Sequence, residues 1–288
     1  MHLRTRDLAL SLGPSLAVLV GMVAYPTVYV LVLSFKRYDL TNPFEGQPFV
    51  GLDNYKALLA DPAFQSALSR SIMFTVASVV LTLVLGMAIA LLLHRQDIYG
   101  TGAARTIILI PIILTPMVIG AMFRFILDYD NGLIDTALPL LGLPRIPFLA
   151  HAGWALASVI LVDVWQWTPF VALVLLAGLE ALPKDPYEAA QVDGASRWAQ
   201  LRHITLPLLA PVITLVLLLR TMDAFRDFDK VYIMTGGGPG IATQTLPIYI
   251  WRAAFENFNM GFAAAIGEIM LILITIVSII YVKRLQPR

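Results

Sequence analysis

The stretch Pro186–Pro211, PYEAAQVDGASRWAQLRHITLPLLAP, breaks a chain that elsewhere runs apolar for twenty or more residues at a time. Asp185 is placed to cap a helix, Pro186 suits the first helical position, and Glu188 can reach back as in a capping box. About two turns later Asp193–Gly194 ends that helix, because glycine accepts the left-handed conformation that a tight stop requires. Ser196 is placed to cap a second short helix, and Pro207 opens the next apolar run. The first helix, about eight residues long, is marginal alone in water. Its Ala189 and Ala190 leave a face that another surface can approach closely. Two readings stay open on shape alone: a plug that docks into a partner, or an amphipathic helix resting on lipid headgroups.

Outward from this segment, composition decides the class. Of 288 residues, 58% are hydrophobic and 14% charged, against about 25% charged in soluble domains. An all-α integral membrane protein follows. The absence of cysteine excludes disulfides, thiolate metal sites and a cysteine nucleophile. A net charge of +1 gives no sign of nucleic-acid binding. No Gly-x-x-x-x-Gly-Lys-[Ser/Thr] occurs, so no nucleotide is bound through a P-loop.

A membrane helix needs ~20 mostly apolar residues. Residues Leu8–Phe35 carry no formal charge, and that run is too long for a secretory signal and lacks a small-residue cleavage site. Further spans fall at about Ser71–Leu93, Ala104–Leu127, Gly153–Leu179, Leu206–Phe225 and Gly261–Val282, six in all. Pro111 and Pro116 punctuate the third and Pro169 the fourth, which predicts bends or close packing there. The ends carry Arg4, Arg6, Lys283, Arg284 and Arg288 against Asp7 alone. The positive-inside tendency then puts both termini, and the Pro186–Pro211 segment, in the cytoplasm of a multi-pass protein.

The segment EAAQVDGASRWAQLRHITLPLLAP resembles the cytoplasmic signature of permease subunits of binding-protein-dependent ABC importers: Glu-Ala-Ala, three residues, Gly, then Ile-x-Leu-Pro. GLDNYKALLADPAF, DVWQWTPFVALVLLAGLEALPKD and TGGGPGIATQTLPIYIWRAAF are similar, in the same order, to the carbohydrate-uptake branch typified by maltose and glycerol-phosphate permeases. The resemblance covers most of the chain from about Val50. It implies a type I importer permease of six transmembrane helices, five of them in a core over residues 69–282 with a coupling loop at 180–206. Residues 1–68 would hold the first span and an extracytoplasmic segment, and 283–288 a cytoplasmic tail. By the same resemblance Glu188, Ala189, Ala190, Asp193, Gly194 and Ala195 form a coupling helix seated on a dimer of separate ATP-binding subunits. Those subunits, not this chain, would bind ATP and Mg. The other implied partners are a second homologous permease, making a heterodimer, an extracytoplasmic solute-binding protein, membrane lipid and a carbohydrate substrate, in a bacterial or archaeal plasma membrane. The chain would transport and not catalyse. Two positions depart from the pattern: Leu201, where phenylalanine is common, and Glu268 in the sixth span, expected to answer a buried basic group of the same subunit.

Rival classes are a self-contained secondary transporter or channel, and an intramembrane enzyme. No internal repeat is evident, and six spans are few for a standalone carrier. His94, His151 and His203 sit at span ends with no His-x-x-x-His grouping. TGGGPG at Thr235–Gly240 lacks the lysine of a phosphate loop and reads as a flexible outer turn; Tyr25, Tyr29, Trp154, Tyr249 and Trp251 read as interface anchors.

Polar side chains inside spans are costly and usually face an interior or a watery cavity. Asp163, Gln166, Trp167 and Phe170 fall at i, i+3, i+4 and i+7, one helical stripe. Arg220, Asp223 and Asp227 fall at i, i+3 and i+7, and Arg220 and Asp223 lie at membrane depth. Carboxylates, an amide, a guanidinium and aromatic faces suit a sugar, whose hydroxyls take planar hydrogen-bonding groups and whose C–H face packs on a ring. The bland alternatives are that Arg220 and Asp223 neutralise each other and that Trp167 packs on lipid or on the partner.

Overall fold

A computed structural model describes residues 5–42, 44, 46–94 and 101–285. Arg4 and Arg288, on which the termini argument partly rests, lie outside the described residues. Among those described there is no strand, only isolated bridges at Lys36 to Phe49 and Asp39 to Asn259. Among the described residues fourteen α-helices follow in order, with π turns at Leu201–Thr205 and Arg252–Glu256. They are α1 (Thr5–Ser34), α2 (Asp53–Ala60), α3 (Pro62–Leu93), α4 (Thr101–Ile107), α5 (Ile110–Ile113), α6 (Pro116–Ile126) and α7 (Leu133–Leu140). Then come α8 (Ala152–Glu180), α9 (Asp185–Val192), α10 (Arg197–Gln200), α11 (Leu206–Phe225), α12 (Asp229–Thr235), α13 (Leu246–Trp251) and α14 (Met260–Leu285). Among the described residues five helices are long and apolar enough to cross a membrane: Leu12–Ser34, Pro62–Leu93, Ala152–Glu180, Arg197–Phe225 and Met260–Arg284. A sixth crossing, if counted as one span, is the pair Arg105–Ile113 and Pro116–Ile126, bent by 95°.

That pair is sharper than the bend the prolines predict. Leu114 and Thr115 both take extended backbone, ψ 137° and 148°; Thr115 does so because the residue before a proline is pushed out of the helical region. Pro116 then starts a new helix.

The chain divides into two compact units, Met1–Gln65 with Tyr249–Leu273, and Ser66–Ile248 with Ile274–Arg288. In the first, the segment after α1 is held by α2: Asn54 Nδ2 donates to the carbonyls of Ser34 and Lys36, at 2.8 and 2.9 Å. Tyr249 Oη donates to the Asp61 carboxylate. Burial, and then that carboxylate, push the tyrosine hydroxyl well above its ordinary value. Glu268 is 7% exposed and forms no ion pair among the described residues, so the internal basic partner expected for it is not found there.

The second unit contains the core. One cluster gathers Phe74, Ile119, Val159, Val162 and Val231, and another gathers Ala90, Val171, Leu175, Leu209 and Val216. Lipid tails are as apolar as leucine, so membrane helices gain by close backbone approach at small residues. A Cβ at Gly86 would stand 2.6 Å from Val171, and one at Gly178 would stand 2.7 Å from Leu209. These two glycines let α3 and α11 lie directly on α8.

Candidate functional site

Two places collect the polar residues. The first is the helix–turn–helix at α9 and α10. The helix starts at Asp185 itself, one residue earlier than a capping aspartate requires: Lys184 precedes it with helical backbone and takes the capping position without a side-chain bond. Lys184 O accepts from Tyr187 and Glu188 N–H, so Glu188 makes no reciprocal cap. Asp185 and Glu188 instead place negative charge in the first turn, where the helix dipole favours it. The other end is as expected. Gly194 has φ +73°, Ala195 N–H donates to Ala190 O at 2.8 Å and Gly194 N–H to Gln191 O at 3.1 Å, the paired bonds of a Schellman stop. Ser196 Oγ caps α10 by accepting from Ala199 N–H.

Pro207 stands in the first turn of α11, but it does not begin the helical backbone. The chain is already helical from Arg197, and it widens to a π turn over Leu201–Thr205 before α11. Proline at 207 has no N–H for the carbonyl one α-turn back, and Leu206 N–H reaches Leu201 O instead. Tyr187 Oη donates to Thr205 Oγ1 at 3.0 Å, which ties α9 to the foot of the span. No residue of α9 is buried. Glu188, Ala189, Asp193 and Gly194 are exposed, and Ala190 and Ala195 half-buried. Val192 and Trp198 are 88% and 69% exposed, a large apolar surface on an otherwise polar element.

The second place is a buried charge cluster on α8, α11 and α12. Asp163 accepts from Arg220 Nη2 at 2.6 Å and from Lys230 Nζ at 2.5 Å. Lys230 also donates to Gln166 Oε1 at 2.9 Å and pairs with Asp227 at 2.8 Å. Two carboxylates thus balance two cations, which is the condition for burying any of them. Trp167 lies 4.8 Å from the Arg220 guanidinium carbon, over its ring face. That face serves the cation where Arg220 Nε and Nη1 have no hydrogen-bond acceptor. Phe170 packs edge-on against Trp167 at 6.0 Å.

Lys230 is the residue that sequence reading missed. It follows the span, and two of its three partners are 64 and 67 residues away. Gly120 makes the approach possible: a Cβ there would stand 3.3 Å from Lys230 Cα and 3.1 Å from Ile233 Cβ, so α12 lies flush on α6. The break before α6 contributes too, since the freed Leu114 carbonyl accepts from Gln166 Nε2 at 3.4 Å. Irregular backbone at membrane depth is tolerated where protein groups answer it in this way.

Of the seven residues expected along a pathway, the structure brings Asp163, Gln166, Arg220 and Asp227 into one network. Asp163, Gln166 and Arg220 are between 0 and 2% exposed. They join α8, α11 and α12, and none of the three is among the residues lining the cavity beside them. Arg220 does not neutralise Asp223, which pairs with Arg226 at 3.0 Å. A cavity of roughly 310 Å³ opens beside the network, lined by Trp167, Asp223, Asp227 and Lys230 with Arg226 and Phe228. The Thr235–Gly240 turn, expected to be flexible, is closed by hydrogen bonds: Thr243 Oγ1 meets Thr235 Oγ1 at 2.6 Å and donates to Gly238 O at 2.9 Å. Among the described residues no His, Asp and Glu grouping suits a metal ion.

Residues 71–288 match the model of the binding-protein-dependent transport system inner membrane component, and the chain belongs to that family. It is therefore a permease subunit of an ABC transporter and a multi-pass membrane protein. It is 36% identical to the trehalose transport system permease protein SugA of Mycobacterium tuberculosis, over 94% of this chain and 86% of that one. It is 37% identical to the trehalose/maltose transport system permease protein MalF of Thermococcus litoralis, over 94% and 90%. Among solved structures, a bacterial ABC transporter involved in the import of the acidic polysaccharide alginate shares its fold, with a TM-score of 0.83. There the identity is 22%, over 98% of this chain and 95% of that one.

Proposed function

We propose that this subunit forms half of the membrane pathway of an ATP-driven carbohydrate importer, for an oligosaccharide, a sugar derivative or a polyol. The trehalose and maltose named for its relatives support the substrate class. A second, homologous permease forms the other half. Both termini and α9 face the cytoplasm, where α9 docks on a dimer of ATP-binding subunits that hold ATP and Mg and do the hydrolysis. A solute-binding protein delivers the sugar on the outer side. The observation that carries this reading is α9 itself: a capped helix with no buried residue, tied through Tyr187 and Thr205 to the base of a span. Such a rod passes a push on Glu188, Ala189 or Ala190 directly into α11. On the pathway side, Trp167, Asp223 and Asp227 meet the substrate at the cavity, with Lys230 between them and Asp163.

The test is purification of the chain with its genomic neighbours. It should bring down an ATPase and a second permease, and in proteoliposomes ATP hydrolysis should rise with sugar-loaded binding protein. Recovery of the chain alone, transporting without ATP, would overturn the reading. A reporter fused after Arg288 should be active only in the cytoplasm.

A further inference from the structure

A second cavity, of roughly 460 Å³, lies between α3 and α8, away from the charge cluster and the coupling segment. One wall is Ser66, Ser69, Arg70 and Met73 of α3; the other includes Gly153, Leu156, Ala157 and Ile160 of α8. On each helix these are successive positions of one face. Both faces pass from polar or small residues to apolar ones in the direction the chain runs. Arg70 Nη1 is buried without a hydrogen-bond partner, and Arg70 has no ion pair among the described residues. A shielded guanidinium nitrogen without an acceptor is destabilising, so Arg70 offers an anion a binding group at the polar end of the cavity. The level is also marked. Arg70 is the last charge before the uncharged run Ser71–Leu93, and Trp154, beside Gly153, is 47% exposed, as aromatic residues at a membrane interface are.

We propose that this cavity binds an anionic phospholipid, its phosphate on Arg70, Ser66 and Ser69 and an acyl chain along Met73, Leu156 and Ile160. The apolar end decides between a lipid and a soluble anion. Met73, Val76 and Val80, at i, i+3 and i+7 of α3, are 60%, 56% and 51% exposed and continue the strip toward the bilayer. A free phosphate or carboxylate has no use for such a strip, whereas a lipid chain follows it out. The site goes beyond the transport reading and does not depend on which substrate is carried.

The assembled transporter in detergent, treated with photoactivatable phosphatidylglycerol, should be labelled on the segments Ser66–Met73 and Gly153–Ile160. Unlabelled phosphatidylglycerol should compete, phosphatidylcholine should compete less well, and inorganic phosphate should not compete. Arg70→Gln should lower labelling at this site about fivefold, the effect of one basic residue at an anionic surface, and leave labelling elsewhere unchanged. Ile160→Trp, which fills the apolar end but keeps Arg70, should also lose the label, and carries the test if Arg70→Gln fails to assemble. Undiminished labelling in an assembled variant would overturn the proposal. So would equal competition by phosphatidylcholine, or displacement by phosphate, the latter marking a soluble-anion site.

Discussion

The coupling segment and the buried charge cluster use the same residue types, carboxylates and basic groups near aromatic rings, to opposite ends. In the coupling segment every bond that shapes the backbone is local: Ala195 to Ala190, Gly194 to Gln191, Ser196 to Ala199. Its charges stay in water. In the cluster the bonds join residues 57, 64 and 67 apart, and the charges are 1% exposed on Asp163, Arg220 and Lys230. Water sets how much each is worth. An exposed pair such as Arg226–Asp223 is worth little, whereas a buried charge that loses its partner is expensive. The segment can be reshaped cheaply and so can move against a partner, while the cluster fixes three helices in one arrangement.

Lys230→Met tests that contrast hardest. It leaves Asp163 to Arg220 alone and Asp227 buried without its lysine, at a cost of ~3–5 kcal/mol for a broken buried pair. The yield of monodisperse transporter should fall and its melting temperature drop by many degrees. Adding Asp163→Asn, which removes a carboxylate to match the lost cation, should recover part of the loss. A Lys230→Met variant that melts like the wild type would show that the cluster does not hold the helices.

Trp167→Ala should come next. The ring covers the Arg220 guanidinium and also lines the cavity. Losing it removes a desolvated cation–π contact worth ~2 kcal/mol and, on the proposed pathway, one surface for the sugar. The expected result is an assembled transporter with slower uptake and altered substrate preference. Normal uptake of the same substrates would remove Trp167 from the pathway.

How much of each region the sequence discloses follows from the same distinction. The stop at Gly194 and the cap at Ser196 are legible because a local backbone need selects the residue. The start was misread by one residue because Lys184 enters with helical backbone, a detail no residue type dictates. The apolar runs gave six crossings, but the 95° break before Pro116 depends on Gln166, 52 residues away, answering the Leu114 carbonyl. Asp163 and Arg220 were legible as costly polar residues inside spans, yet their pairing was not, since a stripe on one helix does not say which helix it meets. Lys230 had no signal except Gly120, whose meaning appears only when α12 lies on α6.

Gly194→Val probes the other side of the contrast. A Cβ at Gly194 meets nothing within 4 Å, so the whole penalty is backbone conformation at φ +73°. An L-residue there costs ~1–2 kcal/mol, little enough for the protein to insert and assemble. The turn is re-aimed, however, and both uptake and substrate-stimulated ATP hydrolysis should be lost. Gly194→Asn, which tolerates the left-handed region, should keep much of both. Equal activity for valine and glycine would sink the docking role of α9.

Ser196→Ala should have the smallest effect. The hydroxyl accepts from Ala199 N–H at 3.3 Å, a long bond, at the start of a helix only four residues long. A lost cap of this kind costs ~0.5–1 kcal/mol in an exposed helix. Here the helix is not free to fray: it is the first turn of a 29-residue helical run, Arg197–Phe225, that continues through the π turn, and Gln200 Nε2 donates to Ala195 O at 3.0 Å across the same turn. Two neighbouring contacts therefore hold the geometry that the serine also supports. The melting temperature should shift by a degree or two at most, with uptake and coupled hydrolysis within a factor of two of the wild type. If Ser196→Ala uncouples the transporter as Gly194→Val does, then the turn has no redundancy, and the segment is as tightly specified as the buried cluster.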